Sequence, residues 1–284
     1  MFPELPKAQW RLLRHPAKDG VWNMAVDAAI LENVIAGQSQ PTLRLYDWDP
    51  ACLSLGFAQL YADVDEGALN SHGWHVVRRP TGGRAILHTD ELTYSVIGPS
   101  DEPRLIGGVL ESYKRLSEGL MKSLLLLGLP VQQQPMHAGN GFGALDNPVC
   151  FEVPSDYEIT LNGKKIIGSA QARKKGGVDG RASVLQHGSL PLFGDIARIT
   201  EVLRYPSEEN RQKAAKRVRD RAATVEEGLG RRVSWEEAGD AFVRGFNEKL
   251  NIEFVEGELS DAELKAAERW MAERYAGATW TQRA

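Results

Sequence analysis

The segment DYEITLNGKKIIG contains an Asn-Gly pair between two runs that favour β-structure. Asn162-Gly163 is the pair that a two-residue type I′ turn prefers, because both central residues of that turn need a positive φ. The sequence therefore predicts an antiparallel hairpin in which Tyr157–Leu161 pairs with Lys164–Ser169. Adjacent strand residues point to opposite faces of a sheet, so one of Lys164 and Lys165 can face a cleft while the other faces water.

Further regular elements are predicted around this hairpin. A helix is predicted over Trp22–Ile35, because its apolar residues recur at helical spacing and Gly37 follows as a stop. A second amphipathic helix is predicted over Glu111–Leu127. Short strands are predicted at 42–48, 51–57, 75–79, 92–98 and 183–192, the first two separated by the turn pair Asp49-Pro50.

The C-terminal third differs in its predicted secondary structure, because from about residue 195 the sequence pattern predicts one helix after another. Three candidate capping boxes occur there, in which a hydroxyl accepts from a free backbone N–H and a carboxylate reaches back. They are Thr224 with Glu227, Ser234 with Glu237, and Ser260 with Glu263. We therefore predict an α+β protein of mixed β-sheets with flanking helices, in which 1–195 form the core and 196–284 a helical C-terminal part packed on it.

Composition excludes several classes of function. The chain has 34 Lys+Arg and 38 Asp+Glu, a net charge of −4, which is not the basic footprint of a general nucleic-acid binder. No apolar run has the ~20 residues of a membrane helix, and no apolar block near the start predicts a secretory signal. Two cysteines are too few for a disulfide framework or a thiolate zinc site and suit a reducing cytosol. We expect a cytoplasmic protein without metal, membrane or nucleic-acid partners.

The run RRPTGGRAILH is the first candidate for a ligand site. Its paired glycines, Gly82 and Gly83, let the backbone approach a ligand closely, and the guanidinium groups of Arg79 and Arg84 suit a phosphate or carboxylate. The spacing matches neither a Walker loop nor G-x-G-x-x-G. A glycine turn that joins two strands and carries solvated arginines is an equally open alternative.

The two cysteines differ in their surroundings. Cys52 lies inside the apolar run ACLSLG, where a free cysteine is expected to be a small buried residue. Cys150 lies in DNPVCFEVPSDYE, whose prolines and acidic residues indicate a loop or a strand entry. A reactive thiol there needs a nearby positive charge or base. His88 and His187 are the histidines nearest to the motifs, so a Cys–His hydrolase stays open as an interpretation.

The run GKKIIGSAQARKK is a further candidate for a ligand site. After Lys164 and Lys165, Gly168 and Ser169 offer a close backbone approach and a hydroxyl group. The alternative is a pair of solvated lysines beside a turn. The residues 173–175 look like a solvated basic run that could meet an acidic partner.

Four motifs in order, RRPTGGRAILH, the VCF around Cys150, GKKIIGSAQ and LQHGS, resemble the lipoate–biotin ligase catalytic fold. More closely, they resemble the octanoyltransferase LipM family of Gram-positive bacteria, and the likeness extends from about Trp22 to the C-terminus. The resemblance implies transfer of octanoyl from octanoyl–acyl carrier protein to a lysine of a lipoyl domain, typically the glycine cleavage H protein, in protein lipoylation. It implies no cofactor, because a thioester donor carries its own driving force.

The same resemblance assigns residues. The family's nucleophilic cysteine falls on Cys150 and its active-site lysine, in the pattern G-x-K-x-x-G-S-A, on Lys165. Cys150 would form an octanoyl thioester, and the Lys165 ammonium would lower the pKa of that thiol. The residues expected to bind substrate are Arg79, Thr81, Gly82, Gly83, Arg84, His88, Gly168 and Ser169.

The substrates implied by the resemblance suggest two further sets of residues. Burying about six methylenes of an octanoyl tail is worth on the order of 5 kcal/mol, which selects it over acetyl. Val76, Ile86 and Val96 are candidates to line its pocket. Because the carrier protein is acidic in this family's reaction, basic residues are candidates to dock it. They are Arg173, Lys174, Lys175 and Arg181.

Three alternatives remain within this interpretation. An ATP-dependent lipoate–protein ligase shares the fold and the lysine motif but has no need of Cys150. An amidotransferase that moves octanoyl between lipoyl domains would also use a cysteine. A non-catalytic module that captures lipoyl or biotin would tolerate Cys150→Ser. The run GGVDGRAS, residues 176–183, is longer than the usual link before LQHGS and could alter a loop over the pocket. We expect a monomer.

Overall fold

One six-stranded mixed sheet forms the centre of the protein, in a computed structural model that describes residues 5–135, 149, 157–176, 180 and 182–283. Strand β1 pairs in parallel with β2 and β12, and the other neighbours are antiparallel. The mixed sheet and its flanking helices confirm the predicted α+β class. In spatial order the strands are β10 (Gly168–Lys175), β11 (Ala182–Pro191), β6 (Glu91–Pro99), β2 (Thr42–Tyr46), β1 (Ala8–Arg14) and β12 (Ile252–Glu256).

Two three-stranded sheets accompany the large one. The first, which we call the small sheet, has the order β4 (His75–Arg78), β3 (Cys52–Leu55), β5 (Ile86–His88). The second has the order β7 (Gln132–Pro135), β8 (Tyr157–Leu161), β9 (Lys164–Lys165). The predicted strands at 42–48 and 51–57 therefore belong to different sheets. Strand β5 was not predicted, because three residues are too short to show a periodicity.

Helices cover the large sheet and fill the C-terminal region. Shorter 3₁₀ turns span Tyr61–Asp63 and Ile196–Glu201, and a π-helical turn spans Met271–Tyr275. None of the helices in the described ranges is long and apolar enough to cross a membrane. The helices are α1 (Gly20–Ile35), α2 (Glu66–His72), α3 (Val109–Leu126), α4 (Glu208–Arg221), α5 (Val225–Leu229), α6 (Trp235–Leu250), α7 (Asp261–Trp270) and α8 (Ala278–Thr281).

The two faces of the large sheet pack against different helices, because side chains alternate along each strand. On one face, Tyr94 and Val96 of β6 join a core that includes Phe242 of α6. On the opposite face, Ile97 packs against α1 residues such as Ile30. The predicted helices Trp22–Ile35 and Glu111–Leu127 are confirmed as α1 and α3, each with its apolar positions facing this sheet.

The Asn-Gly hairpin is confirmed, with a shorter second strand than expected. Asn162 and Gly163 have φ of 51° and 79°, and Leu161 pairs with Lys164. After Lys165 the chain leaves this sheet and re-enters the large one at Gly168, because Ile166 and Ile167 turn inward to the core. The two lysines differ as expected for opposite faces, since the side chain of Lys165 is 6% exposed and that of Lys164 is 38% exposed.

The C-terminal region is helical apart from β12. The three predicted hydroxyl caps are confirmed, since each accepts the N–H of the glutamate three residues later. Within the described residues the reciprocal bond is made at Ser260 by Glu263, whereas Glu237 pairs with Arg231. Strand β12 was not predicted, although the residues IEFVE alternate as an edge strand does. The division of the chain at residue 195 stays a prediction.

A substitution at Gly188 tests how tightly β10 and β11 pack. A Cβ at Gly188 would lie 2.4 Å from the carbonyl oxygen of Gly168 and 2.6 Å from the Ser169 hydroxyl. We expect Gly188→Ala to destabilise the fold by about 1–3 kcal/mol, because β10 must shift to admit the methyl group. Denaturant unfolding midpoints measure this effect.

The matched control is Gly82→Ala, because a Cβ there meets no heavy atom within 4 Å. Both changes reduce the entropy of the unfolded chain in the same way, so their difference reports packing in the folded state. Equal midpoints for the two variants would contradict the close approach of the strands.

Candidate active site

A cavity with about 350 Å³ of empty space lies between the large sheet and the small sheet. Its apolar walls include Met24, Trp48 and Ile86. Of the residues predicted to bind substrate, four line it: Arg79, His88, Gly168 and Ser169. The other lining groups that matter for its chemistry are Ser54 and His187.

Arg79 ties the glycine-containing loop to strand β3. Its guanidinium donates to the carbonyl oxygen of Ser54 at 2.9 Å, that of Gly82 at 2.9 Å and that of Arg84 at 2.7 Å. Arg78 is also buried and donates to backbone carbonyl groups, among them that of Gly56. The alternative of solvated arginines is therefore wrong for Arg78 and Arg79. Arg79 shapes the loop that lies beside the cavity.

The glycines of this loop allow its backbone to lie close to the end of β3. Gly83 has a φ of +92°, in the left-handed region that glycine enters without strain. A Cβ at Gly56 would lie 1.9 Å from the Gly83 carbonyl oxygen, so the loop touches the end of β3 at that point. Gly82 is open on its side-chain side, and Arg84 is half-buried. Neither Gly82, Gly83 nor Arg84 lines the cavity.

A buried network of hydrogen bonds and ion pairs fixes the position of Thr81 in the loop. The Thr81 hydroxyl lies 2.6 Å from Nε2 of His187, and Nδ1 of His187 lies 3.3 Å from Oδ2 of Asp27. Asp27 in turn forms an ion pair with Arg44 at 2.8 Å and accepts from the Ser95 hydroxyl. The loop that carries Thr81 is thus connected through three side chains to β2.

The charges of this network shift the pKa values of its members. Burial opposes ionisation of Asp27, but Arg44 and His187 outweigh it and hold the pKa of Asp27 below its usual value. Burial lowers the pKa of His187. His15, whose Nδ1 accepts from Nε of Arg44 at 2.8 Å, has its pKa lowered to about 3, first by burial and then by Arg44.

A second polar cluster lies on the small-sheet side of the cavity. His88 places Nδ1 2.6 Å from Oε1 of Glu91 and Nε2 2.7 Å from the Ser54 hydroxyl. The Trp48 ring stacks on His88 with centroids 3.9 Å apart and planes 9° apart. Both nitrogens of this predicted substrate-binding histidine therefore have partners, and the ring is held in one orientation.

Ser169 lines the cavity, and its hydroxyl group bonds Tyr94 on the main-core face of the large sheet. The two hydroxyl groups lie 2.8 Å apart, and Gln186 donates to the same Tyr94 oxygen at 3.0 Å. Gln186 accepts from Gln171 at 3.0 Å, so a glutamine of the GSAQ motif meets one of the LQHGS motif. This chain of polar contacts links the two motifs across β10 and β11.

Lys165 lies beside the cavity rather than in its wall. Its Nζ lies 3.1 Å from Oε1 of Glu158, and its backbone pairs with Ala222 at the end of α4. Ala222 also packs against Ile86, which is part of the cavity wall. One buried contact therefore separates the backbone of Lys165 from that wall.

Cys150 lies outside the described residues, and the residue before it is described. Val149 is buried and pairs with Ala85, the neighbour of Ile86. Val149 and Ile86 line a second cavity, of about 450 Å³, that adjoins the first at Ile86. Val149, the residue before Cys150, and the backbone of Lys165 are thus each one residue contact away from Ile86.

The structure also shows where Cys52 and the residues suggested for the acyl pocket lie. Cys52 is fully buried, and burial raises the pKa of its thiol, which confirms the structural interpretation. Of the residues suggested for the acyl pocket, Ile86 lines the cavity, whereas Val96 faces the opposite side of the large sheet in the main core. Val76 is half-buried in the small sheet and is not among the lining residues of this cavity.

The suggested docking run is only partly exposed. Arg173 donates to the carbonyl groups of Leu105 and Gly108, so its assignment to a solvated run is wrong. Lys174 and Lys175 are exposed, and Arg181 lies outside the described residues. Among the described residues, no cluster of three His, Cys, Asp or Glu side chains is arranged to hold a metal ion.

Sequence reasoning missed several residues of this site, among them Asp27, Arg44, Ser54 and Glu91. A signal was present for two of them. Asp27 interrupts the apolar run of α1, and Arg44 interrupts the apolar strand TLRLY, so each is a charge in a segment that must be buried. Buried charges are paired, and the two residues are each other's partners.

The buried histidines predict an acid-sensitive fold. The pKa of His15 is about 3 in the folded chain and about 6.5 in an unfolded chain, so the unfolded chain binds the proton first. Stability is therefore complete above pH ~6.5 and falls as the pH decreases toward 3, by about 1.4 kcal/mol per pH unit. His187 adds to this fall in the same direction.

Denaturant unfolding between pH 7.5 and 5, compared with that of His15→Asn, measures this effect. An asparagine oxygen can accept from Arg44 as Nδ1 does, but it does not titrate. We expect a shallower loss of stability with acid in the variant. An unchanged slope would contradict the assignment of His15 as a neutral buried acceptor.

Comparison with known proteins agrees with this architecture. The lipoyl protein ligase A/B catalytic domain family matches residues 19–247. The octanoyltransferase LipM of Moorella thermoacetica is 42% identical over 280 residues, which are 98% of this chain and 100% of the relative. That of Brevibacillus brevis is 39% identical over 97% and 99% of the two chains.

Two solved structures are similar over nearly the whole chain. A bipartite lipoate protein ligase, studied with its E2 lipoyl domain, from Thermoplasma acidophilum has a TM-score of 0.77 and 28% identity, covering 97% of this chain and 96% of that one. A lipoate-protein ligase A bound with ATP has a TM-score of 0.74 and 26% identity, covering 98% and 99%. The chain therefore belongs to the lipoyl protein ligase A/B catalytic domain family and, within it, to the LipM octanoyltransferases.

Proposed function

We propose that this acyltransferase moves octanoyl from octanoyl–acyl carrier protein to a lysine of a lipoyl domain through a thioester on Cys150. The observation that carries the proposal is the identity of 42% with an octanoyltransferase LipM along the full length of both chains. The glycine cleavage H protein is the acceptor we propose. An E2 lipoyl domain accompanies a similar ligase from Thermoplasma acidophilum, and a lipoyl domain is the type of acceptor proposed here.

The first half of the reaction needs an ionised thiol near a positive charge. We propose that Cys150 is this thiol and that Lys165 supplies the charge. Lys165 is almost fully buried, so its ammonium group acts over a short distance in a medium that screens it weakly. Glu158 is the ion-pair partner of this ammonium group, with Oε1 3.1 Å from Nζ. As the thiolate attacks, the same ammonium group can bond the acyl oxygen, on which negative charge develops.

The cavity between the two sheets is where we propose that the octanoyl tail binds. Its apolar walls exclude water from the chain, and the tail's methylenes contribute about 0.8 kcal/mol each on burial. Ile86 borders both this cavity and the one that Val149 lines, so a tail in the first would have its carboxyl end toward Val149, the residue before Cys150. Gly168 and Ser169 are among the residues that line this cavity.

Intact mass spectrometry without nucleotide tests the covalent step. The protein is mixed with octanoyl–acyl carrier protein, and then with apo-H protein. We expect an octanoyl adduct that maps to Cys150 and is discharged onto the H protein. Cys150→Ser should abolish both events, whereas Cys52→Ala, which removes the buried second thiol, should retain them.

Different results would favour the alternatives. Transfer that requires lipoate and ATP, with no adduct, identifies a ligase. An adduct formed only from an octanoylated lipoyl domain identifies an amidotransferase. Retained transfer in Cys150→Ser would exclude the covalent mechanism, and binding without any transfer would indicate a non-catalytic module.

The adjacent lysines provide a matched pair for the second test. Lys165→Ala should lower kcat/KM for octanoyl transfer by about 10²–10³-fold, because the charge that stabilises thiolate and oxyanion is lost. Lys164→Ala removes the same side chain from the opposite face, which is more exposed, and should change kcat/KM by less than about twofold. Circular dichroism controls for folding. Equal losses in the two variants would contradict the role proposed for Lys165.

A further inference from the structure

We propose that Ser54, His88 and Glu91 form a proton relay that takes a proton from the acceptor lysine in the second half of the reaction. The proposal rests on the proposed function, since it concerns transfer from the acyl-enzyme to an amine. The three residues line or adjoin the cavity between the two sheets, and they come from β3, β5 and β6.

The hydrogen bonds around Glu91 determine where the protons lie. Its Oε1 atom is 2.6 Å from Nδ1 of His88, accepts from the Ser189 hydroxyl at 2.8 Å, and also accepts from the Thr93 hydroxyl. Because this oxygen already accepts from two hydroxyl groups, Nδ1 of His88 is the donor in the bond to it. Nε2 is then the accepting nitrogen of the ring, and it faces the Ser54 hydroxyl at 2.7 Å.

Arg79 orients the hydroxyl at the other end. Its guanidinium donates to the Ser54 oxygen at 3.1 Å, so this oxygen accepts from Arg79 and directs its own proton to Nε2 of His88. Stacking on Trp48 holds the imidazole, and Trp48 itself is held by a bond from its Nε1 to Thr93 at 2.8 Å. All the donors and acceptors of the relay therefore point in one direction, from the cavity toward Glu91.

The charge of Glu91 distinguishes His88 from the other histidine of the cavity. Asp27, the partner of His187, already forms an ion pair with Arg44. Among the ion pairs of the described residues, Glu91 has His88 as its partner. An imidazolium at His88 would thus neutralise a buried carboxylate, whereas one at His187 would add a second cation to a pair that is already balanced.

The second half of the reaction needs such a base. A lysine amine with a pKa of about 10.4 arrives as an ammonium ion at neutral pH. One proton passes through the Ser54 hydroxyl to Nε2 of His88, and the neutral nitrogen attacks the thioester carbonyl carbon to form the C–N bond. The C–S bond breaks, its electron pair stays on the Cys150 sulfur, and the second nitrogen-bound proton restores the thiol. His88 then returns its proton to water.

Lys165 is less suited to this task. Its buried ammonium group pairs with Glu158 and is proposed to remain charged, so that it stabilises the thiolate in one half-reaction and the leaving sulfur in the other. A group that must stay protonated cannot be the proton acceptor in the same turnover. The two tasks therefore fall to two different residues beside the cavity.

The test compares two nucleophiles on isolated octanoyl-enzyme. Saturating apo-H protein must lose a proton before its lysine attacks, whereas hydroxylamine is uncharged at neutral pH and needs no base for this step. His88→Asn keeps a donor to Glu91 and removes the basic Nε2. We expect its single-turnover rate to lysine to fall about 10²–10⁴-fold, and its rates of acyl-enzyme formation and hydroxylamine discharge to stay within about threefold.

Two further variants complete the design. Ser54→Ala should show the same selective loss and remains informative if His88→Asn does not fold. His75 is an exposed histidine and the first residue of β4 in the same small sheet, so His75→Asn is the matched control and should behave as wild type. If wild-type protein forms no octanoyl–Cys150, the proposed function fails. If the acyl-enzyme forms and the relay variants slow both nucleophiles equally, or if octanoyl is found on Ser54, the relay fails.

Discussion

The ion pair between Asp27 and Arg44 is the contact on which the site depends. It joins α1 to β2 at the base of the cavity, and both side chains are fully buried, so neither charge has water as an alternative partner. Removing one partner of such a pair leaves an uncompensated buried charge, which typically costs 3–5 kcal/mol. Arg44 also stacks over the Tyr46 ring, which lines the cavity wall. The helix, the sheet and the wall are therefore oriented by one pair of charges.

This pair also explains how a glycine-containing loop can have one conformation. Glycines give the loop freedom, and two sets of contacts remove it: Arg79 holds the loop carbonyls, and His187 connects Thr81 to Asp27. The loop is thus attached to the small sheet on one side and to the large sheet on the other. A cavity between two sheets keeps its shape only if such contacts connect them, which is why polar groups are concentrated around an otherwise apolar space.

Local chemistry predicted part of this protein well. The Asn162-Gly163 turn, the helix α1 and the opposite faces of Lys164 and Lys165 follow from residues that are close in sequence, and the structure confirms them. Strand β12 and the switch of the chain at Ile166–Ile167 depend on partners that are distant in sequence. The same is true of the Ser54, His88 and Glu91 cluster, because Ser54 is brought to His88 only when β3 pairs with β5.

The sheet switch after Lys165 gives the motif G-x-K-x-x-G-S-A its spacing. Two residues, Ile166 and Ile167, bury their side chains in the core while the chain crosses from β9 to β10. This crossing places the lysine at the end of α4, beside Ala222, and the following Gly168 and Ser169 in the cavity. One residue fewer would reverse the face of either the lysine or the serine, because side chains alternate along a strand. The motif therefore sets the spacing between a buried charge and the cavity, and glycine is needed at the facing position 188, where a Cβ would lie 2.4 Å from the Gly168 carbonyl oxygen.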